Sequence, residues 1–166
     1  MRDHWFPLDD SARSHVPVKL WSWLAETGSL TERVKAACGH AFSLVVIAER
    51  DGSLDAEDAM AMGLVSGAPA RIREVELRCG DAAWISARSV LPRSTLAGAG
   101  RSLASLGTRP LGDALFAHPA MTRGPIEVVC REGEPPLWGR RSVFRLDGEP
   151  LVVSEFFLPG LTECAR

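Results

Sequence analysis

No long apolar run occurs in this sequence: the longest uninterrupted stretch, Leu44 to Ala48, is far too short to span a bilayer. The four cysteines, Cys38, Cys79, Cys130 and Cys164, are dispersed and contain no CxxC pair. The four histidines, His4, His15, His40 and His118, stand apart from them, so no spacing suits zinc, and no metal is expected. A cytosolic setting disfavours disulfides. Cys79 and Cys130, both in strand-like runs, are therefore read as small free core residues. There is no internal repeat, low-complexity tract or domain-splitting linker, which predicts one domain over residues 1–166. The N-terminal stretch Met1 to Asp10 is acidic and broken by proline, unlike a secretory or transit peptide. A cytoplasmic protein, without stable membrane insertion, is expected.

What remains is globular: 166 residues, 46% hydrophobic and 24% charged. A net charge of −2 argues against a general nucleic-acid binder. Lysine is nearly missing, with seventeen of the nineteen basic residues arginine and only Lys19 and Lys35 lysine. Arginine suits bidentate carboxylate binding, but an arginine-rich genome gives the same composition.

Helical spacing covers Val18 to Glu26. A second helix opens at Ser29-x-x-Glu32, a capping box, and closes at Gly39. Phe42 to Glu49 reads as a strand, and residues 53–68 as a loop or short helix, with Asp55-Ala-Glu-Asp58 solvated. Turn chemistry gives two hairpins. Arg71 to Cys79 and Ala82 to Leu91 flank Gly80-Asp81; Val143 to Leu146 and Glu149 to Leu158 flank Asp147-Gly148. Between them fall a helix over Ser94 to Leu106, a short helix over Leu111 to Ala117, and a strand over Ile126 to Arg131. The class is α+β, with an antiparallel sheet of about six strands and flanking helices.

Strand parity exposes an anomaly, because side chains alternate between faces. Arg73 shares a face with Val75, Leu77 and Cys79, and Glu155 shares one with Leu151, Val153 and Phe157. A buried arginine and glutamate must each be paired. A core salt bridge between the two accounts for this as readily as a bound ligand does. With a two-residue turn at Gly80-Asp81, Arg73 lies opposite Arg88 on one face, an unfavourable pair that an intervening anion would relieve. Trp138-Gly-Arg-Arg141 reads either as a basic binding loop or as a turn entering a strand.

Taken in order, several short motifs resemble the chorismate pyruvate-lyase family. They are Arg73-Glu74, Trp84, Arg88-Ser-Val-Leu-Pro92, Leu106-Gly-Thr-Arg-Pro-Leu-Gly112, Thr122-Arg123, Leu137-Trp-Gly-Arg-Arg-Ser142 and Ser154-Glu-Phe-Phe-Leu-Pro159. The resemblance runs from about Leu24 to Pro159. It implies a cofactor-free lyase that converts chorismate to 4-hydroxybenzoate and pyruvate, early in ubiquinone synthesis, with an enclosed site. It further implies that Arg73 binds the ring carboxylate, helped by the backbone N–H groups of Leu30 and Leu111, and that Glu155 bonds the ring hydroxyl. Arg73 and Glu155 are the expected catalytic pair, and Arg88 is the candidate for the enolpyruvyl carboxylate. Leu30 stands where well-known members have methionine, and Ala87 where they have glycine.

The competing expectation is a non-catalytic aromatic-acid sensor of the same fold, as in effector domains of some bacterial transcription regulators. Those domains follow a winged helix, for which the roughly 20 residues before the first helix are too few. A monomer acting on a small molecule is expected.

Overall fold

A computed structural model describes residues 3–164; Met1 and Arg2 of the N-terminal stretch lie outside them. The frame is one antiparallel sheet. Its six main strands are β2 (Phe42–Ser53), β3 (Pro69–Cys79), β4 (Ala82–Pro92), β6 (Glu127–Arg131), β7 (Leu137–Leu146) and β8 (Glu149–Phe157). Two short ones, β1 (Phe6–Pro7) and β5 (Met121–Arg123), complete it. The order is β1-β6-β7-β8-β4-β3-β2, with β5 pairing to β7 beyond the end of β6. The helices are α1 (Val18–Leu24), α2 (Leu30–Cys38), α3 (Ala56–Met62), α4 (Arg93–Ala97), α5 (Leu111–Ala117) and α6 (Pro159–Cys164). None is long and apolar enough to cross a membrane. The α+β reading of about six strands with flanking helices holds.

Both hairpins turn where glycine chemistry places them. Gly80 has φ +59°, and Asp147 and Gly148 have φ +48° and +86°, the positive values that a two-residue hairpin turn requires. The register beyond the first turn differs from the expected one. Arg78 lies opposite Ala83 as a two-residue turn dictates, but Leu77 lies opposite Ile85, leaving Trp84 as an extra residue on β4. Trp84 and Ile85 are thereby both buried in the same core, where a regular strand would send neighbours to opposite faces. Trp84 meets Trp23 of α1 edge to face, with centroids 6.3 Å apart. The bulge moves every later residue of β4 by one position. Arg73 consequently faces Ser89, and Arg88 faces Glu74 on the other side of the sheet. The expected Arg73–Arg88 pair is thus overturned.

The helix expected over Ser94 to Leu106 is also broken. It stops at Ala97, and a 3-10 turn follows over Arg101–Ser105. The Glu149 carboxylate accepts a hydrogen bond from the Ala99 N–H at 2.8 Å, filling the space a Gly98 side chain would need. Leu96, Ala99, Leu103 and Leu106 still pack into one core. Residues 55–58 are not a solvated loop either. Asp55 caps α3 by accepting the Asp58 N–H at 2.7 Å, and Asp58 is buried against Arg88, with Nη1 to Oδ2 at 2.9 Å. Burial pushes the Asp58 carboxyl upward, and the Arg88 charge opposes it.

The cysteine reading is corrected as well. Cys38, ending α2, and Cys79, ending β3, form a disulfide with a Cα–Cα distance of 5.6 Å, while Cys130 is free and exposed. The Gly39 terminator returns the chain so that the Gly80 N–H reaches the Ala41 carbonyl at 2.8 Å, which brings the two cysteines together. Unreduced, denatured protein should show two thiols by thiol titration, from Cys130 and Cys164, and four after reduction. Four before reduction would contradict the pairing.

Two apolar cores occupy one face of the sheet. The first joins α1, α2 and α6 to Leu77, Ile85 and Phe157; the second joins α5 and the 3-10 turn to Leu91, Phe144, Leu151 and Val153. A third, under α3, covers Ile72, Val90 and Val152 on the opposite face. The gap between the first two holds the site.

Candidate active site

Between these cores lies a cavity with about 570 Å³ of space free of protein atoms, counting its mouth. Its floor is the sheet, presenting Arg73, Val75, Ala87, Ser89, Val153, Glu155 and Arg140. Its roof is the N-terminal ends of α2 and α5, with Leu30 and Leu111 at the first position of each. A first-position N–H has no acceptor within its own helix. Neither of these two has one elsewhere among the described residues. The two ends meet closely: a side chain on Gly112 would come within 3.0 Å of the Ser29 hydroxyl. Lys35 of α2 bonds Asp113 of α5 at 2.8 Å, tying the roof together. That bond holds the Lys35 ammonium above its ordinary range.

Arg73 is 3% exposed and faces the cavity, as strand parity predicts. Its partner is not Glu155. Nη1 donates to Glu49 Oε2 at 2.9 Å, and Nη2 to the carbonyls of Gly107 and Arg109 at 2.8 and 3.2 Å. Glu49 reaches it because β2 carries its own register shift between Val46 and Ala48, which sets Glu49 opposite Arg73. Of the five guanidinium N–H groups, Nε–H and one on Nη1 remain without an acceptor among the described residues.

Glu155 lies on β8, two strands from Arg73 with β4 between. Its Oε2 accepts from Arg140 Nε at 2.8 Å, and its Oε1 has no partner among the described residues. Sequence reasoning missed Arg140, which is 1% exposed and also donates through Nη1 to the carbonyls of Trp23, Leu24 and Glu26. The signal was present. Running β7 back to Leu137 gives Trp138, Arg140, Ser142 and Phe144 one parity, apolar at both ends. So Trp138-Gly-Arg-Arg141 is strand, not loop. Gly139 is needed there because a Cβ would lie 2.6 Å from the Phe156 ring.

The cavity thus unites Leu30, Arg73, Leu111 and Glu155. Arg88 is excluded, on the opposite face with Asp58. Arg123 of β5, unassigned from sequence, lines the cavity in its stead. The pocket is chemically lopsided: three arginines face or underlie an apolar slot that only one carboxylate, Glu155, directly lines. Such a slot suits a flat organic anion with one further polar group.

The family model described as chorismate lyase matches residues 2–165. The chain belongs to the chorismate lyase family. Among its relatives, the probable chorismate pyruvate-lyase of Methylococcus capsulatus is 44% identical, covering 84% of this chain and 94% of that one. The protein of the same description from Aromatoleum aromaticum is 38% identical over 91% and 90%. Solved structures show the chorismate lyase fold in a wider setting. The effector domain of PhnF from Mycobacterium smegmatis superposes with a TM-score of 0.59 over 81% of this chain and 90% of its own, at 17% identity. The ligand-binding domain of a putative GntR-family regulator from Bordetella bronchiseptica gives 0.51 over 71% and 84%, also at 17% identity. At such identities the likeness is one of fold alone.

Proposed function

We propose that this protein is a chorismate pyruvate-lyase, eliminating pyruvate from chorismate to leave 4-hydroxybenzoate, an early step toward ubiquinone. The observation that carries this reading is a cavity with Arg73 at one end and Glu155 at the other, in a chain of this family. The ring carboxylate takes the open N–H groups of Arg73 and the backbone N–H groups of Leu30 and Leu111. The C4 hydroxyl at the far end of the ring donates to Glu155 Oε1.

In the reaction the C3–O ether bond breaks and the C4 hydrogen leaves, so the ring becomes aromatic. The departing enolpyruvyl group contains its own proton acceptor, the methylene carbon. Transfer of the C4 hydrogen there gives the pyruvate methyl directly and balances the step. Glu155 then orients the hydroxyl, and the rate derives from positioning and fixed charge. No electron or hydride is exchanged with an external group, so the reading includes no cofactor. The protein works in the cytoplasm as a monomer.

The test is to incubate purified protein with chorismate and quantify both products, expecting equal amounts. No turnover together with tight 4-hydroxybenzoate binding would favour the sensor. Run in heavy water and sampled before exchange, the pyruvate methyl should carry no deuterium. One deuterium per methyl would instead mean proton transfer through a solvent-exchangeable base.

A further inference from the structure

Arg88 was the candidate for the second carboxylate of the substrate, and the bulge at Trp84 removes it from the cavity. A dianion still needs a second cation. Of the arginines lining the cavity, Arg73 is ion-paired with Glu49 and Arg140 with Glu155. Arg123 has no carboxylate within 4 Å among the described residues. Its Nε donates to the Ser142 hydroxyl at 3.0 Å, and its Nη1 to the carbonyls of Glu26 and Thr27 at 3.3 and 3.1 Å. These neutral acceptors fix the guanidinium and leave it without a carboxylate in contact, with Nη2 unpartnered among the described residues. Its carbon stands 5.1 Å from the centroid of the Phe144 ring, another cavity residue.

The order of strands gives the direction. Going from β3 to β5, the cavity side chains run Arg73, then Glu155 two strands on, then Arg140, then Arg123. Strands lie about 4.8 Å apart, so Arg73 and Glu155 are rooted roughly 10 Å apart across the sheet. Arg123 is rooted about as far across on the other side of Glu155 but level with Leu151, four residues along the strand, which sets it to one side of the line from Arg73 to Glu155. Chorismate has the matching layout: ring carboxylate at C1, hydroxyl opposite it at C4, and the enolpyruvyl ether on C3, beside C4, projecting to one side of the C1–C4 axis. With its ends on Arg73 and Glu155, its second carboxylate is carried sideways off that axis from the Glu155 end of the ring, and Arg123 stands off the same axis.

From this juxtaposition we infer that Arg123 binds the enolpyruvyl carboxylate, making it the residue by which the site distinguishes the dianionic substrate from its monoanionic product. The inference rests on the lyase reading above. Burial and the neighbouring Arg140 charge push the Arg123 guanidinium down to about 10, and the more distant Glu155 and Glu26 carboxylates offset this only in part. Arg140 is the poorer candidate, since Glu155 and three carbonyls already use its Nε and Nη1.

The test compares three unreactive ligands by calorimetry: 4-hydroxybenzoate, 3-(carboxymethoxy)-4-hydroxybenzoate, and its monoanionic counterpart 3-ethoxy-4-hydroxybenzoate, which lacks the side-arm charge. Arg123→Gln should weaken the dianion roughly 10- to 100-fold, the span of a charge-assisted hydrogen bond, and the other two less than about 3-fold. Arg123→Lys should restore part of the loss. For chorismate, kcat/KM should fall by a similar factor, most of it in KM. An equal loss for all three ligands would make Arg123 merely structural, and no loss would remove it from the site. If Arg123→Gln does not fold, wild-type protein decides: equal affinity for the dianion and its ethoxy counterpart overturns the inference. Wild-type protein that leaves chorismate unconsumed refutes the lyase reading instead, independently of these ligand ratios.

Discussion

Arg73→Ala should abolish measurable 4-hydroxybenzoate binding and lower kcat/KM for chorismate about 10³- to 10⁴-fold, the equivalent of two charge-assisted hydrogen bonds. The fold should survive. Glu49, the carboxylate left behind, is partly exposed and keeps Arg71, whose Nη1 lies 3.2 Å from its Oε1. The loss is therefore separable from unfolding by comparing calorimetric titration with the thermal midpoint. Arg73→Lys should recover little, because one ammonium cannot span Glu49, the loop carbonyls of Gly107 and Arg109, and a carboxylate together. A variant that bound 4-hydroxybenzoate normally would move the site elsewhere.

Arg140→Met should act chiefly on stability. The substitution keeps an apolar stem but deprives Glu155 and the carbonyls of Trp23, Leu24 and Glu26 of their shared donor. Removing one partner of a buried ion pair costs about 3–5 kcal/mol. For a chain of this size that lowers the thermal midpoint by roughly 10 °C. Activity should fall with it, since Glu155 loses the contact that aims its carboxylate. Adding Glu155→Leu should return part of the stability and none of the turnover, because the charge left behind is gone and so is the group facing the substrate. If the double variant melted no higher than Arg140→Met alone, the unpaired Glu155 would not be the source of the loss.

Much of this arrangement was legible from residue order. Alternation along β3 and β8 singled out Arg73 and Glu155, and Gly80-Asp81 and Asp147-Gly148 marked both hairpins. Parity cannot register a bulge. Nothing near Trp84 announces that it and Ile85 are buried together, yet this one extra residue decides that Arg88 meets Asp58 and not the cavity. Partner choice was equally hidden, since Glu49 comes opposite Arg73 only through a second irregularity in β2. Arg140 was overlooked because four polar or small residues interrupt the apolar pattern of β7. The cysteines were misjudged because their pairing depends on how α2 returns to the sheet, a matter of tertiary geometry.

That pairing has a kinematic consequence for the roof. The disulfide pins α2 at Cys38, the end remote from the cavity, and Lys35, three residues earlier in the same last turn, ties that end to Asp113 of α5. A helix fastened twice within its last turn would open by pivoting about that end. Its N-terminal end would then sweep an arc that carries Leu30 off the ring, while the pinned end would keep its seat on β3. Reduction of the disulfide would free that seat and let the helix lift as a whole, turning a hinged door into a loose panel.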